Sequence, residues 1–137
     1  MAYVVAEAYA PITLMGRLQV NVGGVAEIPA HPGYNAAVPE QALTRSVTFT
    51  ARSATPRRLR MEVRAEYDEA ASLRIAERLG GADAAARVKT NRARIVETSV
   101  HEVEPATGLA LFHEDVFTLV AGADSESLRT VRLTRLE

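Results

Sequence analysis

The stretch that decides the fold is Arg58-Leu59-Arg60-Met61-Glu62-Val63-Arg64-Ala65-Glu66-Tyr67, in which apolar and charged residues alternate without interruption. Only a side-chain period of two explains this pattern, because successive residues of a β-strand point to opposite faces of the sheet. The sequence therefore predicts a strand with one buried face, made of the odd-numbered residues Leu59, Met61, Val63, Ala65 and Tyr67.

The chain before this strand predicts three more strands and one long loop. Strands are expected at Tyr3–Tyr9 and at Leu14–Val22, and in the second of them apolar residues again recur at every second position. A long loop is expected at about 23–43, because it carries several prolines, which cannot donate to a sheet; only a short strand at Val25–Ile28 interrupts it. The strand Arg45–Arg52 follows and forms an antiparallel hairpin with the deciding strand, since the connection is too short for a parallel crossover.

The chain after the deciding strand predicts a helical connection and three final strands. Asp68 suits the N-cap of a helix over Glu69–Leu79, Gly80-Gly81 ends it, and a second helical stretch runs from Asp83 to about Asn91. The three final strands are expected at Ile95–Val103, Leu109–Ala121 and Leu128–Leu136, with turns at residues 105–108 and 122–125.

This order of elements predicts an α+β or mostly β fold. The expected architecture is an antiparallel sandwich or small barrel of about seven strands, with one central helical connection at about 68–91. A length of 137 residues is typical of a single domain, here residues 1–137.

Composition narrows the class of protein. The chain has no cysteine, so disulfides and thiolate metal sites are excluded. It shows no cationic signal sequence at the start and no apolar run of membrane-spanning length, which favours a cytoplasmic protein or a component of an assembled particle. The net charge of −1 and the 5% aromatic content argue against membrane surfaces and nucleic acids as partners.

A possible chemical site lies in the hairpin of the strands Ile95–Val103 and Leu109–Ala121. If residue 104 pairs with residue 110, His101 faces His113 and Ser99 faces Asp115 on one side of the sheet. Two imidazoles and a carboxylate suit a metal ion or a general base. The even-numbered face is more apolar, however, and is expected to be the core; its residues are Val96, Val100, Ala110, Phe112, Val116 and Val120. The sequence thus predicts solvent-exposed histidines and no metal, cofactor or catalytic residue, with His101, His113 and Asp115 as weak metal candidates.

The segment Ala30–Asn35 is a second candidate, because loops often carry function and His31, Tyr34 and Asn35 can form hydrogen bonds. A plain turn is the simpler interpretation. The long loop can also act as an arm that orders on a neighbouring subunit.

The element order resembles that of the ring-forming tube subunits of phage tails and contractile secretion systems. This resemblance implies a non-enzymatic structural or assembly subunit that self-associates into a homo-oligomer through sheet faces, edge strands or the long loop. The expected interface residues are Arg58, Arg60, Glu62, Arg64, Glu66 and Tyr34.

The alternative is a small-molecule-binding barrel or a cofactor-free, hot-dog-like enzyme with a pocket between sheet and helix. Its polar groups would come from Tyr34, His31 or Glu66. A hot-dog thioesterase places an acid at the helix start, where Glu66, Asp68 and Glu69 lie, although helix capping explains these acids more simply.

Overall fold

The computed structural model describes residues 23–134, except residues 36, 56, 105 and 108. The elements are β1 (Val25–Gly33), β2 (Leu43–Ala54), β3 (Leu59–Tyr67), α1 (Glu69–Asn91), β4 (Arg94–Val103), β5 (Ala110–Ala121) and β6 (Asp124–Thr134). The predicted strands Tyr3–Tyr9 and Leu14–Val22 lie outside the described residues.

Within these residues the strands form one antiparallel sheet in the order β1-β2-β3-β4-β5-β6, with β1 and β6 at its edges. The mostly β class with one central helical connection is confirmed. The sheet is open, so the predicted sandwich or barrel of about seven strands is not what this part of the chain forms. In the described part of the chain, helix α1 packs against one face of the sheet and shares its core.

Strand β1 occupies much of the predicted long loop at about 23–43, so that prediction is wrong for residues 29–33. The strand runs through Pro29 and Pro32 and pairs with β2, with a register shift between Ile28 and His31. An edge strand tolerates prolines because its outer N–H groups need no partner in the sheet, and a bulge absorbs the missing pair. The connection to β2 is therefore only residues 34–42.

Cross-strand pairing decides which face is the core. Met61 of β3 pairs with His101 of β4, and Val63 pairs with Ser99. Residues directly opposite each other share a face, so the histidines lie on the same side as the apolar residues of the deciding strand. We call this side, formed by odd-numbered residues of β2–β5, the inner face. The predicted core on the even-numbered face is wrong, because the composition of β4 and β5 alone does not determine their pairing with β3.

Helix α1 packs against the inner face. Asp68 is its N-cap, with Oδ1 accepting a hydrogen bond from the Ala71 backbone N–H at 2.8 Å, as predicted. Ser72 Oγ accepts from the Ile95 backbone N–H at 2.9 Å and ties the first half of the helix to β4. At Gly81 the backbone leaves the helical conformation, with φ of 70° and ψ of −159°, and the helix kinks. The predicted break at the glycine pair is confirmed.

Ion pairs connect the middle and the last part of the helix to other segments of the chain. Arg78 contacts Glu40 in the connection before β2, and Arg87 contacts Glu126 in β6. Strand β6 begins at Asp124, four residues before the predicted start, because the turn after β5 is confined to Gly122 and its neighbour. Between residues 23 and 134 no helix is both long and apolar enough to span a membrane.

Candidate functional site

A cavity of about 90 Å³ opens on the inner face. Its apolar walls include Val47, Phe49 and Val63, whereas its polar residues come from β2, β4, β5 and the segment after Ile28. Tyr34 lines it and is 66% exposed, so the cavity reaches the surface. Its lining contains no residue of α1, so this cavity differs from the predicted pocket between sheet and helix. The segment Ala30–Asn35 does contribute, through His31 and Tyr34, while Glu66 lies on the other face.

The histidine pair lines the cavity. His101 pairs with His113 and Ser99 with Asp115, so this part of the predicted register is confirmed, although a bulge pairs Val103 instead of residue 104 with Ala110. The two Nδ1 atoms are 3.1 Å apart and the ring centroids 4.6 Å apart. His101 is 2% exposed and His113 is 4% exposed. The predicted solvent-exposed histidines are therefore wrong, because both belong to the buried inner face.

Both imidazoles are uncharged at neutral pH. Burial, together with the neighbouring His113, lowers the pKa of His101 to about 3. Burial also lowers the pKa of His113. Removing an imidazolium from water is unfavourable, and a second cation at 3.1 Å would add repulsion. The pair is held together by a hydrogen bond between neutral rings, in which one Nδ1 donates and the other accepts.

His101 retains one unused polar atom. Its Nε2 is buried and has no hydrogen-bond partner among residues 23–134. Buried polar atoms without a partner are rare and cost about 1–3 kcal/mol each. Because the Nε2 atom itself is buried, other atoms of the His101 ring line the cavity.

The weak metal candidates do not form a three-ligand group. Ser99 Oγ donates to Asp115 Oδ1 at 3.1 Å, beside the histidine pair. In the described part of the chain no three His, Asp or Glu side chains are close enough together to hold a metal ion. The arrangement suits hydrogen bonding to a ligand better than coordination.

A second polar cluster surrounds the Tyr67 hydroxyl. Tyr67 Oη donates to Glu97 Oε2 at 2.5 Å and accepts from Asn35 Nδ2 at 2.9 Å and from Arg45 Nη1 at 3.1 Å. Arg45 also donates to the Tyr34 carbonyl oxygen at 3.1 Å, which anchors the cavity mouth. Burial, and then the charge of Glu97, raises the pKa of Tyr67 far above its usual range. The phenol therefore remains a fixed donor to Glu97.

The sequence analysis did not identify this second cluster. A signal existed, because Arg45 and Glu97 are charged residues at odd-numbered positions, where the strands otherwise carry buried residues. Arg45 lies directly opposite Tyr67 in the sheet, and Ala65 lies opposite Glu97. Charged residues that interrupt a buried face at neighbouring positions predict a polar cluster once the register is known.

Among the predicted interface residues, Tyr34 lines the cavity and the charged ones do not. They pair within the chain: Arg58 and Arg60 contact Glu102 at 3.3 and 2.8 Å, and Arg64 contacts Glu66 at 2.9 Å. Glu62 contacts Arg52 at 2.8 Å. We call their side of the sheet, formed by even-numbered residues of β2–β5, the outer face. These charges therefore pair within β3 for Arg64 and Glu66, and between neighbouring strands for Arg60 and Glu62.

The chain was compared with protein-family models, with curated proteins and with solved structures, and none of the three comparisons yields a match. The argument for function therefore starts from the cavity and its residues.

Proposed function

We propose that the protein binds a small organic molecule in the cavity of the inner face. The observation that carries this proposal is the cavity itself, in which the apolar side chains of Val47, Phe49 and Val63 lie beside polar side chains from β2, β4 and β5.

The volume of the cavity limits the ligand. About 90 Å³ equals the liquid volume of roughly three water molecules. Drug-sized ligands need pockets of about 300–1,000 Å³. The enclosed part of the ligand is therefore a group the size of one small ring or a short branched chain, and a larger molecule would extend past Tyr34.

The cavity lining suits a ligand that has an apolar part and a polar part. Val47, Phe49 and Val63 favour an apolar body, because covering apolar surface is worth about 25 cal/mol per Å². The polar side chains of Glu97, Ser99 and Asp115 also line the cavity and favour a polar group on the ligand. This combination of an apolar wall and a few convergent polar atoms is typical of small-molecule sites.

Toluene tests whether the cavity accepts an apolar body. We expect saturable shifts of the backbone amide NMR signals of Val47, Val63 and Ser99 on titration with toluene. Ala65, which lines the cavity, is replaced by leucine to fill it, and Ala86, exposed on the helix, receives the same change as a control. Toluene binding should be lost in Ala65→Leu and retained in Ala86→Leu. The absence of any saturable shift in the folded wild-type protein would overturn the proposal, whether or not Ala65→Leu folds.

A structural subunit that self-associates is the second candidate, and the outer face supports it. Five apolar residues lie together on this face of the two neighbouring strands β4 and β5: Val96, Val100, Phe112, Val116 and Val120. All but Val96 are partly exposed, and apolar patches on a sheet face often mark contacts between proteins. A ring or tube subunit, as the element order suggests, would use this surface.

Light scattering after size-exclusion chromatography tests self-association. We expect the wild-type protein to elute as an oligomer and Val116→Glu, at the centre of the apolar group, to elute as a monomer. Ala86→Glu places the same charge on the helix and should leave the oligomer intact. A wild-type protein that stays monomeric at high concentration contradicts this second candidate and leaves the small-molecule proposal unaffected.

A further inference from the structure

We propose that the protein has a second binding site, on the outer face of the sheet, which binds the phosphate group of a small organic phosphate monoester. The site is a groove at the end of the sheet where β3 leads into α1 and α1 leads into β4. Its lining shares only Arg45 with that of the inner-face cavity. The inference is therefore independent of the proposed function.

The strand register places the groove on the outer face. Glu66 of β3 lies between Ser46 of β2 and Val96 of β4, and all three line the groove. Arg94, at the start of β4, lies opposite Val120 of β5, and both line it as well. The volume of about 510 Å³ lies within the range of roughly 300–1,000 Å³ that small-molecule ligands need.

The groove contains more positive than negative charges. Its charged residues are four arginines and two acids: Arg45, Arg64, Arg92, Arg94, Glu66 and Asp68. Arg64 and Glu66 form an ion pair at 2.9 Å. Asp68 is occupied as the cap of α1, and Arg45 donates to the Tyr67 hydroxyl.

The charges without a counterion belong to Arg92 and Arg94. Both side chains are exposed, and neither forms an ion pair with another described residue. They stand on either side of Ala93, which is fully buried. Two guanidinium groups that are anchored by a buried residue between them and that line one groove are suited to bind an anion.

The backbone of Arg92 supports a role for its side chain. Arg92 is the C-cap of α1, with φ of 52° and ψ of 35°, in the left-handed region that glycine adopts most easily. Among the described residues it is the only one other than glycine with a positive φ. Such conformations cost stability and concentrate at functional sites. Binding of an anion by the guanidinium explains why arginine stands here instead of glycine.

The donors match a phosphate better than a carboxylate. Two guanidinium groups offer more N–H donors than the oxygens of one carboxylate can accept. A phosphate monoester has three acceptor oxygens and a charge of about −2 at neutral pH, which balances the two unpaired arginines. The organic part of the ligand would cover Val96 and Val120, which give the groove an apolar portion.

Phenyl phosphate and benzoate test the class of ligand, because they share a ring and differ in the anionic group. Both are titrated at pH 7 and low salt, with the backbone amide NMR signals of Arg94 and Gly122 as readout. We expect saturable shifts and about fivefold tighter binding of phenyl phosphate, which makes one further exposed ionic contact. Equal or tighter binding of benzoate would overturn the phosphate assignment. The absence of saturable shifts would overturn the site.

Two arginine variants locate the phosphate. Arg92→Gly and Arg94→Gln should each weaken the binding of phenyl phosphate about fivefold. Arg57→Gln is the matched control: Arg57 is exposed in the turn at the opposite end of β3 and has no ion pair with a described residue. It should bind like the wild-type protein. An equal loss in the control would show general charge attraction and would overturn the site.

Thermal unfolding of Arg92→Gly separates a loss of binding from a loss of structure. Glycine accepts the left-handed conformation at residue 92, so the melting temperature should not fall. Weaker binding by a variant of unchanged or higher melting temperature therefore reports the lost guanidinium. Full phenyl phosphate affinity in both Arg92→Gly and Arg94→Gln would contradict the inference.

The two sites have different outcomes. Phenyl phosphate that shifts the signals of Val47 and Val63 instead of those of Arg94 and Gly122 occupies the inner-face cavity, which overturns this inference and supports the proposed function. If toluene does not bind but phenyl phosphate binds at Arg94, the proposed function fails and this inference stands. Added NaCl should weaken phenyl phosphate binding, because exposed charges are screened by salt, and an affinity independent of salt would contradict the proposal.

Discussion

His101 and His113 are uncharged residues that the unfolded chain would protonate near pH 6.5. With the pKa of His101 lowered to about 3 in the folded protein, the unfolded state binds more protons between these two values. The stability that depends on neutral His101 is therefore fully present above pH 6.5 and is lost as the pH falls toward 3. The slope for one proton is about 1.4 kcal/mol per pH unit.

We predict that the free energy of unfolding, measured by urea titration at several pH values, declines steeply between pH 6.5 and pH 4. His101→Asn removes this titrating group and should make the decline shallower by about 1.4 kcal/mol per pH unit, the slope for one proton. An equally steep decline in His101→Asn would show that other groups are responsible for the acid sensitivity.

Tyr67 is the residue on which the second polar cluster depends. Its hydroxyl is hydrogen-bonded to Asn35, Arg45 and Glu97 at the same time. Tyr67→Phe should lower the free energy of unfolding by about 1–3 kcal/mol, since partly buried partners then lose a hydrogen bond. Tyr34→Phe, at a position 66% exposed, is the matched control and should change stability little. Equal effects of the two substitutions in urea unfolding would contradict this role.

At the residue scale, the sequence predicts part of the site. The pairing of His101 with His113 and of Ser99 with Asp115 follows from the position of one turn, and it is confirmed. Their burial does not follow, because it depends on pairing with β3, which is separated from β4 by the whole helix. The Tyr67 cluster was not predicted because its members are far apart in the chain.

At the element scale, helix α1 depends on one glycine. Gly81 has φ of 70° and ψ of −159°, a conformation that is almost restricted to glycine. Gly81→Ala should therefore destabilise the protein by about 1–3 kcal/mol, although alanine normally stabilises a helix. Thermal unfolding measures the effect. An increase in melting temperature would mean that the helix is straight at this position in solution.

Element prediction succeeds where a pattern is local. The alternation of β3, the cap at Asp68 and the break at the glycine pair are each visible within a few residues, and all three are confirmed. Strand β1 was predicted as mostly loop because Pro29 and Pro32 interrupt its donor groups. Only its position at the sheet edge makes these prolines acceptable, and edge position is not a local property.

At the scale of the whole molecule, the sheet has a protected centre and two edges. Strands β3 and β4 are paired on both sides and carry buried residues, whereas most residues of β6 are exposed. We predict slow hydrogen exchange in β3 and β4 and fast exchange in β6, measured by NMR on the wild-type protein. Protection of β6 equal to that of β4 would show that this edge is covered in solution, as self-association through β6 requires.

The architecture of the whole sheet is less predictable than its strands. A period of two shows that a strand has a buried face, but a helix and a second sheet are equally able to bury it. The open sheet covered by α1 therefore differs from the sandwich or barrel expected from the strand pattern.

The prolines of β1 have a consequence for aggregation. Long, flat sheet edges with unpaired N–H groups recruit further copies of the same segment and start amyloid growth. Two of the residues in β1 lack the N–H group, whereas β6 contains no proline; the pairing of each edge strand also has one register shift. Growth by strand addition thus has one receptive end in the described sheet. Fibre elongation needs two such ends, so strand addition at the edges of the described sheet should stop at a closed pair.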